Sequence, residues 1–218
     1  MAIMDPVKAT VLAARIISNV DRGFASKLEL KDEHRALGLL TCDVDDALYV
    51  ALDEATKFSD VDVVYAESFY AGSDHASGPL SGEIIGILAG PTPAEVRSGM
   101  DAAIAYAEEE AFFYTANEEG DLIYFPHLIS STGSYLSKEA GITQGESLAY
   151  LIAPPLEAVY ALDMAMKAAE VEICEYFAPP SETNFAGALL TGSQSACRAA
   201  CGAFEDAVLQ IASNPRNY

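Results

Sequence analysis

The period of apolar and polar positions changes several times along the chain, and it does so in the same order twice. In the first half Val44, Ala47, Leu48, Ala51, Leu52 and Ala55 follow helical spacing, with Asp43 ahead of them as a candidate N-cap. A β-rich run, VDVVYAESFY (61–70), comes next, and then a Gly/Ser/Pro loop, AGSDHASGPLSG (71–82). A short apolar run, EIIGILA (83–89), reads as a buried strand, and Gly90 leads into a long helix. That helix opens with Thr92-Pro93-Ala94-Glu95, the form of a capping box with proline at its first position. The second half repeats the series. Ala158, Leu162, Ala165 and Ala169 make a helical stripe behind Pro155, followed by VEICEYFA (171–178), the loop PPSETN (179–184), the strand FAGALLT (185–191), and Gly192 before another long helix. Ahead of each series stand two more apolar runs: VLAARIIS and ALGLLT in the first half, PHLISST and SLAYLIA in the second.

The recurrence is residue by residue. ALDEATKFSDVDVVY (51–65) aligns with ALDMAMKAAEVEICE (161–175), so Ala51, Leu52, Asp53, Ala55 and Lys57 return as Ala161, Leu162, Asp163, Ala165 and Lys167. Ser26-Lys27 returns as Ser137-Lys138. Self-similarity over nearly the whole chain points to two copies of one domain of ordinary size, over residues 1–110 and 111–218. Strands outnumber helices, and the crossovers are mixed. The expected fold is therefore α+β, with helices on a mainly antiparallel sheet in a ferredoxin-like sandwich. Two fused copies present the same surfaces twice, which suits a pseudo-symmetric ring.

Composition narrows the function. The formal net charge is −21, with −12 in residues 1–110 and −9 in residues 111–218. Such a surface repels nucleic acid and anionic membranes and favours small cations. No apolar run reaches the roughly 20 residues that span a bilayer, and the first residues do not read as a signal peptide, so a cytosolic location is expected. Cys42, Cys174, Cys197 and Cys201 form no C-x-x-C pair and are expected to be buried, reduced thiols rather than a metal site. The tools of catalysis are missing: there is no Walker loop, dinucleotide fingerprint, G-x-S-x-G or metal-spaced histidine pair, and His34, His75 and His127 are scattered. Neither an enzyme, nor a cofactor, nor a resident metal is expected.

With the repeats aligned, the sequence resembles the tandem BMC-domain shell proteins of bacterial microcompartments, and within them the L-type branch of the ethanolamine-utilisation compartment. The likeness lies in LGLLTCDVDDALYVALDEATK, SGEIIGILAGPTPAEVRSG, STGSYLSKEAGI, YLIAPPLEAVYALD and PPSETNFAGALLTGSQSAC, which together span about residues 10–215. The resemblance implies two circularly permuted BMC domains and a homotrimer with a sixfold-like outline, tiling with other shell proteins. It implies a gated central pore lined by the loops after each β-rich run, here Tyr70, Gly72, Ser73, Asp74 and His75 in one and Thr183, Asn184 and Phe185 in the other. It also implies a small channel in each chain that binds ethanolamine, lined by Asp45, Asp46, Glu83 and Phe112.

Ethanolamine carries an ammonium group at neutral pH, and charge-assisted hydrogen bonds to carboxylates are each worth about 1.5–3 kcal/mol. Desolvation and lost freedom offset much of that, so binding in roughly the micromolar to millimolar range is expected. A second account of the acids stands beside this one. Asp43, Asp45 and Asp46 lie at a helix start, where the helix dipole alone favours them by about 0.3–1 kcal/mol each. The second half supplies a control: its helix begins Pro154-Pro155-Leu156 with no acids, and Glu83 maps near Phe185, so folding does not require them. For His75 an ordinary polar surface loop is one reading, and titration or metal binding at the threefold axis is another. A soluble trimeric sensor of ferredoxin-like fold is the alternative function. Sheet formation or co-assembly with other shell proteins, seen by electron microscopy, distinguishes the two.

Overall fold

The computed structural model describes residues 2–69, 78–179 and 181–217. In chain order the elements are β1 (Pro6–Val7), β2 (Val11–Ile17), α1 (Arg22–Lys27), β3 (Ala36–Cys42), α2 (Asp45–Phe58), β4 (Asp62–Ser68), β5 (Ile84–Gly90) and α3 (Pro93–Glu109). They continue with β6 (Phe113–Thr115), β7 (Ile123–Ile129), α4 (Ser134–Glu139), β8 (Ser147–Ala153), α5 (Pro155–Ala168), β9 (Val171–Phe177), β10 (Ala186–Gly192) and α6 (Gln194–Ser213). These elements form two compact units. One consists of Lys8–Ala111 with Gly133–Leu136, the other of Met1–Val7, Phe112–Thr132 and Ser137–Tyr218.

In the first unit the sheet order is β2-β3-β5-β4, antiparallel throughout. Numbered within the unit, the strands run 1-2-4-3, which is the ferredoxin-like order with its last strand moved to the front. The structure is thus the permuted α+β sandwich expected from the repeats. Strand β3 is central and almost wholly buried, as its unbroken run of small and aliphatic residues requires. Helices α2 and α3 pack on each other and on the sheet. Two glycines let them approach: a Cβ on Gly38 would lie 2.5 Å from Met100 Sδ, and one on Gly86 would lie 2.6 Å from a Leu52 methyl. Thr92 caps α3 by accepting from Glu95 N at 3.2 Å, while the Glu95 carboxylate accepts from Asp60 N rather than turning back on the cap. The expected capping box is therefore half formed.

The second unit repeats the plan with β7, β8, β10 and β9, and extends it by β6 and the two-residue β1 from the N-terminus. Its core runs through Tyr124, Leu151, Leu162, Leu190, Cys197 and Phe204. Strand β7 begins three residues before the run PHLISST read from the sequence, placing Pro126 inside a strand. Proline is tolerated there because β6 pairs only as far as Tyr114 with Tyr124, so the missing N–H falls beyond the end of that neighbour.

Candidate functional site: acidic residues at the exit of β3

The site in the first unit begins where β3 ends. Asp43 does not cap α2, as its position suggested. Its carboxylate accepts from Thr10 N at 2.6 Å, and its own N–H donates to Thr10 O at 3.2 Å, which ties the strand exit to the segment before β2. The cap position passes to Val44, whose side chain offers no acceptor. Asp45 and Asp46 therefore occupy the first turn of an uncapped helix, where the positive end of the dipole favours carboxylates. Both are buried, at 9% and 6% exposure. One Asp45 oxygen accepts from Asp46 N at 3.0 Å. Four residues on, Tyr49 is pushed up to about 12 by burial, the Asp45 charge adding to the effect while the hydrogen bond to Ser68 opposes it.

Glu83 reaches the same end of the sheet from the other side. Gly82 sits at φ +62°, and a Cβ there would fall 1.9 Å from the Cys42 carbonyl oxygen, so only glycine permits this turn. The turn hangs Glu83 on the end of β3: Glu83 N donates to Cys42 O at 2.8 Å, and Glu83 O accepts from Phe69 N at 2.9 Å. Its Oε2 is buried and, among the described residues, has no hydrogen-bond partner. A buried carboxylate oxygen without a partner is costly. The cost is relieved if a donor from outside the chain enters.

Phe112 is half-buried and lies at the start of the second unit. Phe113 beside it is buried, stacks on Phe125 at 4.9 Å and meets Phe185 edge-on at 5.8 Å. Thr183, Asn184 and Phe185 form a tight turn. Asn184 N donates to Ser181 O and Phe185 N to Ser181 Oγ, with Asn184 at φ +66°, a left-handed conformation that asparagine tolerates better than most residues. Tyr70, Gly72, Ser73, Asp74 and His75 lie outside the described residues.

One functional group escaped the sequence reading. Asp53 is 1% exposed, and its carboxylate accepts from Gly133 N at 2.6 Å and Leu136 N at 2.8 Å, acting as the N-terminal cap of α4 from a distant part of the chain. Thr56 Oγ1 accepts from Ser134 N at 2.9 Å, and Tyr49 stacks on Tyr135. A Cβ on Gly133 would lie 2.2 Å from Thr56 Oγ1, so the contact needs glycine. Burial raises the Asp53 pKa, while the two backbone N–H groups and Lys57 pull the other way. Gly133 was the available signal, because nothing local explains a glycine ahead of Ser134-Tyr135-Leu136.

The four cysteines are free thiols. Cys42 and Cys201 are pushed up to about 12 by burial, as fits packing rather than reactivity. Among the described residues no group of three or more His, Cys, Asp or Glu is placed to hold a metal ion, and no helix is long and apolar enough to cross a membrane.

The comparisons with known proteins agree with one another. The BMC domain profile matches residues 36–117. The chain is 61% identical over 214 residues to the bacterial microcompartment shell protein EutL of Clostridium perfringens, covering 98% of this chain and 99% of that one. It is 52% identical over 215 residues to EutL of Escherichia coli, covering 99% and 98%. The crystal structure of the ethanolamine utilization protein EutL from Leptotrichia buccalis superposes with a TM-score of 0.97 at 60% identity, over 100% of both chains.

Proposed function

This chain belongs to the EutL family of BMC-domain shell proteins, a structural component of the bacterial microcompartment shell, and from that premise we propose that it assembles as a homotrimer whose first unit carries a small acidic channel for ethanolamine. Three chains give six like units, the number a sixfold-like tile needs, and the repeated surfaces favour a closed ring. The loops that follow β4 and β9 line a central pore, and other shell proteins meet the tile at its edges. Asp45, Asp46 and Glu83 receive the ammonium of ethanolamine.

The observation that carries the ligand reading is the Glu83 carboxylate. One of its oxygens is buried and unpartnered at the same strand exit that begins α2 with two buried aspartates. A primary ammonium has three donors and a positive charge, so it supplies what that oxygen lacks. Because the same carboxylates must be desolvated, affinity stays modest, and a channel works only if its ligand leaves. A ligand that binds one conformation better than another would also bias the central pore.

Titration of the purified protein with ethanolamine tests the reading. The wild type should bind, and Asp45→Asn should weaken binding at least about tenfold, the loss of one charge-assisted bond. Equal affinity for the two proteins overturns the channel assignment.

A further inference from the structure

At the entry of β3, the end opposite the acidic residues, the first unit holds a cationic cavity. Its volume is about 440 Å³, within the range of small-molecule sites, and its lining includes Asp21, Arg22, His34 and Arg35. Two of the chain's six arginines therefore meet at one place in a protein of net charge −21. Cations in so acidic a chain readily find carboxylates, and Lys31, Lys57 and Lys167 all sit in ion pairs. Among the described residues Arg22 and Arg35 have no ion-pair partner. The one carboxylate of the lining is already engaged: an Asp21 oxygen accepts from Gly23 N at 2.8 Å and from Phe24 N at 3.3 Å.

His34 is the buried member of the lining, its side chain 5% exposed. Its Nε2 donates to an Asp62 oxygen at 3.0 Å. Nδ1, across the ring, is buried and, among the described residues, has no hydrogen-bond partner. A polar atom left in that state is costly, and a ligand in the cavity relieves it.

A phosphate group meets all three side chains. Its anionic oxygens accept from the planar forks of Arg22 and Arg35. Toward His34 it serves either protonation state. An anionic oxygen accepts from Nδ1–H of the imidazolium, and a P–OH donates to the bare Nδ1 of the neutral ring. An ionised carboxylate does only the first.

The repeat again supplies a control. The Arg35 carbonyl accepts from Val20 N at 2.9 Å, and in the second half the Glu146 carbonyl accepts from Thr132 N at 3.0 Å. There Glu146 stands in place of Arg35, and Gly145 in place of His34. The groups satisfy one another: Thr132 Oγ1 donates to the Glu146 carbonyl, and the Glu146 carboxylate accepts from Thr143 N. Folding this corner of the domain therefore requires neither the arginine nor the histidine.

We propose that the cavity binds a small phosphate-bearing solute, the free ion or a phosphate monoester, held by Arg22 and Arg35 and hydrogen-bonded to His34 Nδ1. The site lies within the first unit, so it depends on neither the trimer nor the ethanolamine channel. The two ends of β3 then carry sites of opposite preference, one for an ammonium and one for a phosphate.

Calorimetric titration of the full-length protein at low ionic strength, with inorganic phosphate and with methyl phosphate, tests it. The wild type should bind at least one of the two in roughly the millimolar range or tighter, and acetate at least about tenfold more weakly. The better-bound probe tells whether the solute is the free ion or a monoester. Arg35→Glu installs the residue that the second half tolerates, and it should weaken binding at least about tenfold, as should Arg22→Gln. Arg198→Gln, on α6, should leave it unchanged. Failure of both probes to bind overturns the site, and so does binding that survives Arg35→Glu. Acetate bound as well as phosphate overturns the ligand class. A crystal soaked in phosphate gives a direct view: phosphate between Arg22 and Arg35 supports the site, and a neighbouring copy's carboxylate in that place overturns it.

Discussion

Asp53 and Asp163 hold the same position in two copies of one fold, each with lysine four residues on, yet one is sealed and the other half exposed. The helices that carry them differ again at their starts: two buried aspartates open α2, and two prolines lead into α5. The cores beneath are alike, with the same strand order and the same pair of helices on each sheet. Duplication has kept the packing and freed the surroundings. One helix face holds a distant segment and one start carries two carboxylates, while their counterparts do neither.

The largest expected effect lies where the halves agree. Leu40 and Leu151 are equivalent fully buried residues of β3 and β8. Leu40→Ala and Leu151→Ala should each cost about 3 kcal/mol, within the usual range for buried leucine, and the two losses measured by urea melts should match within about 1 kcal/mol. A large mismatch breaks the claim of a shared core. Next comes the pair that should differ. Asp53→Ala leaves two buried N–H groups without an acceptor and should cost about 2–3 kcal/mol, whereas Asp163→Ala in a protein held monomeric should cost under about 0.5 kcal/mol. Equal losses would mean that the Gly133–Leu136 tie contributes nothing.

The fold was legible because it is written twice. Strands β3, β4, β5, β8, β9 and β10 and helices α2, α3, α5 and α6 follow from apolar period and turn residues, and each copy checks the other. What the sequence hid was the non-local part. Asp43 looks like a cap until Thr10 takes its carboxylate, and β6 and β1 are too short to show a period. Asp53 shows in the sequence only as a repeated position, since only the folded chain brings Gly133 against it. The acidic pair and Glu83 stood out as residues present in one half and missing from the other. Their shared location at the β3 exit depends on the left-handed turn at Gly82.

Two smaller effects sharpen the contrast. Glu83→Gln replaces a carboxylate whose Oε2 is buried and, among the described residues, without a hydrogen-bond partner, so it should raise stability by about 0.5–1 kcal/mol without ligand while weakening ethanolamine binding. A substitution that lowers stability and leaves binding intact would separate Glu83 from the site. The smallest effect concerns pH. The Asp53 pKa is raised in the folded state, so between the ordinary carboxylate value of 3.8 and the folded value the native state holds the proton and the unfolded state does not. Stability contributed by neutral Asp53 is therefore lost as pH rises through that window. Relative to Asp53→Asn, which does not titrate, the wild type should lose ground as pH rises from acid through it. Parallel melting curves of the two proteins in an acid-to-neutral buffer series measure the difference.

The central claim is that two like units carry one ligand site, in the first. A crystal of the full chain soaked in ethanolamine tests it most directly. The account predicts one ethanolamine per chain, its nitrogen against Asp45, Asp46 and Glu83, with nothing bound at Pro154-Pro155. Density at the second-half helix start, or empty carboxylates at a saturating soak, would contradict it.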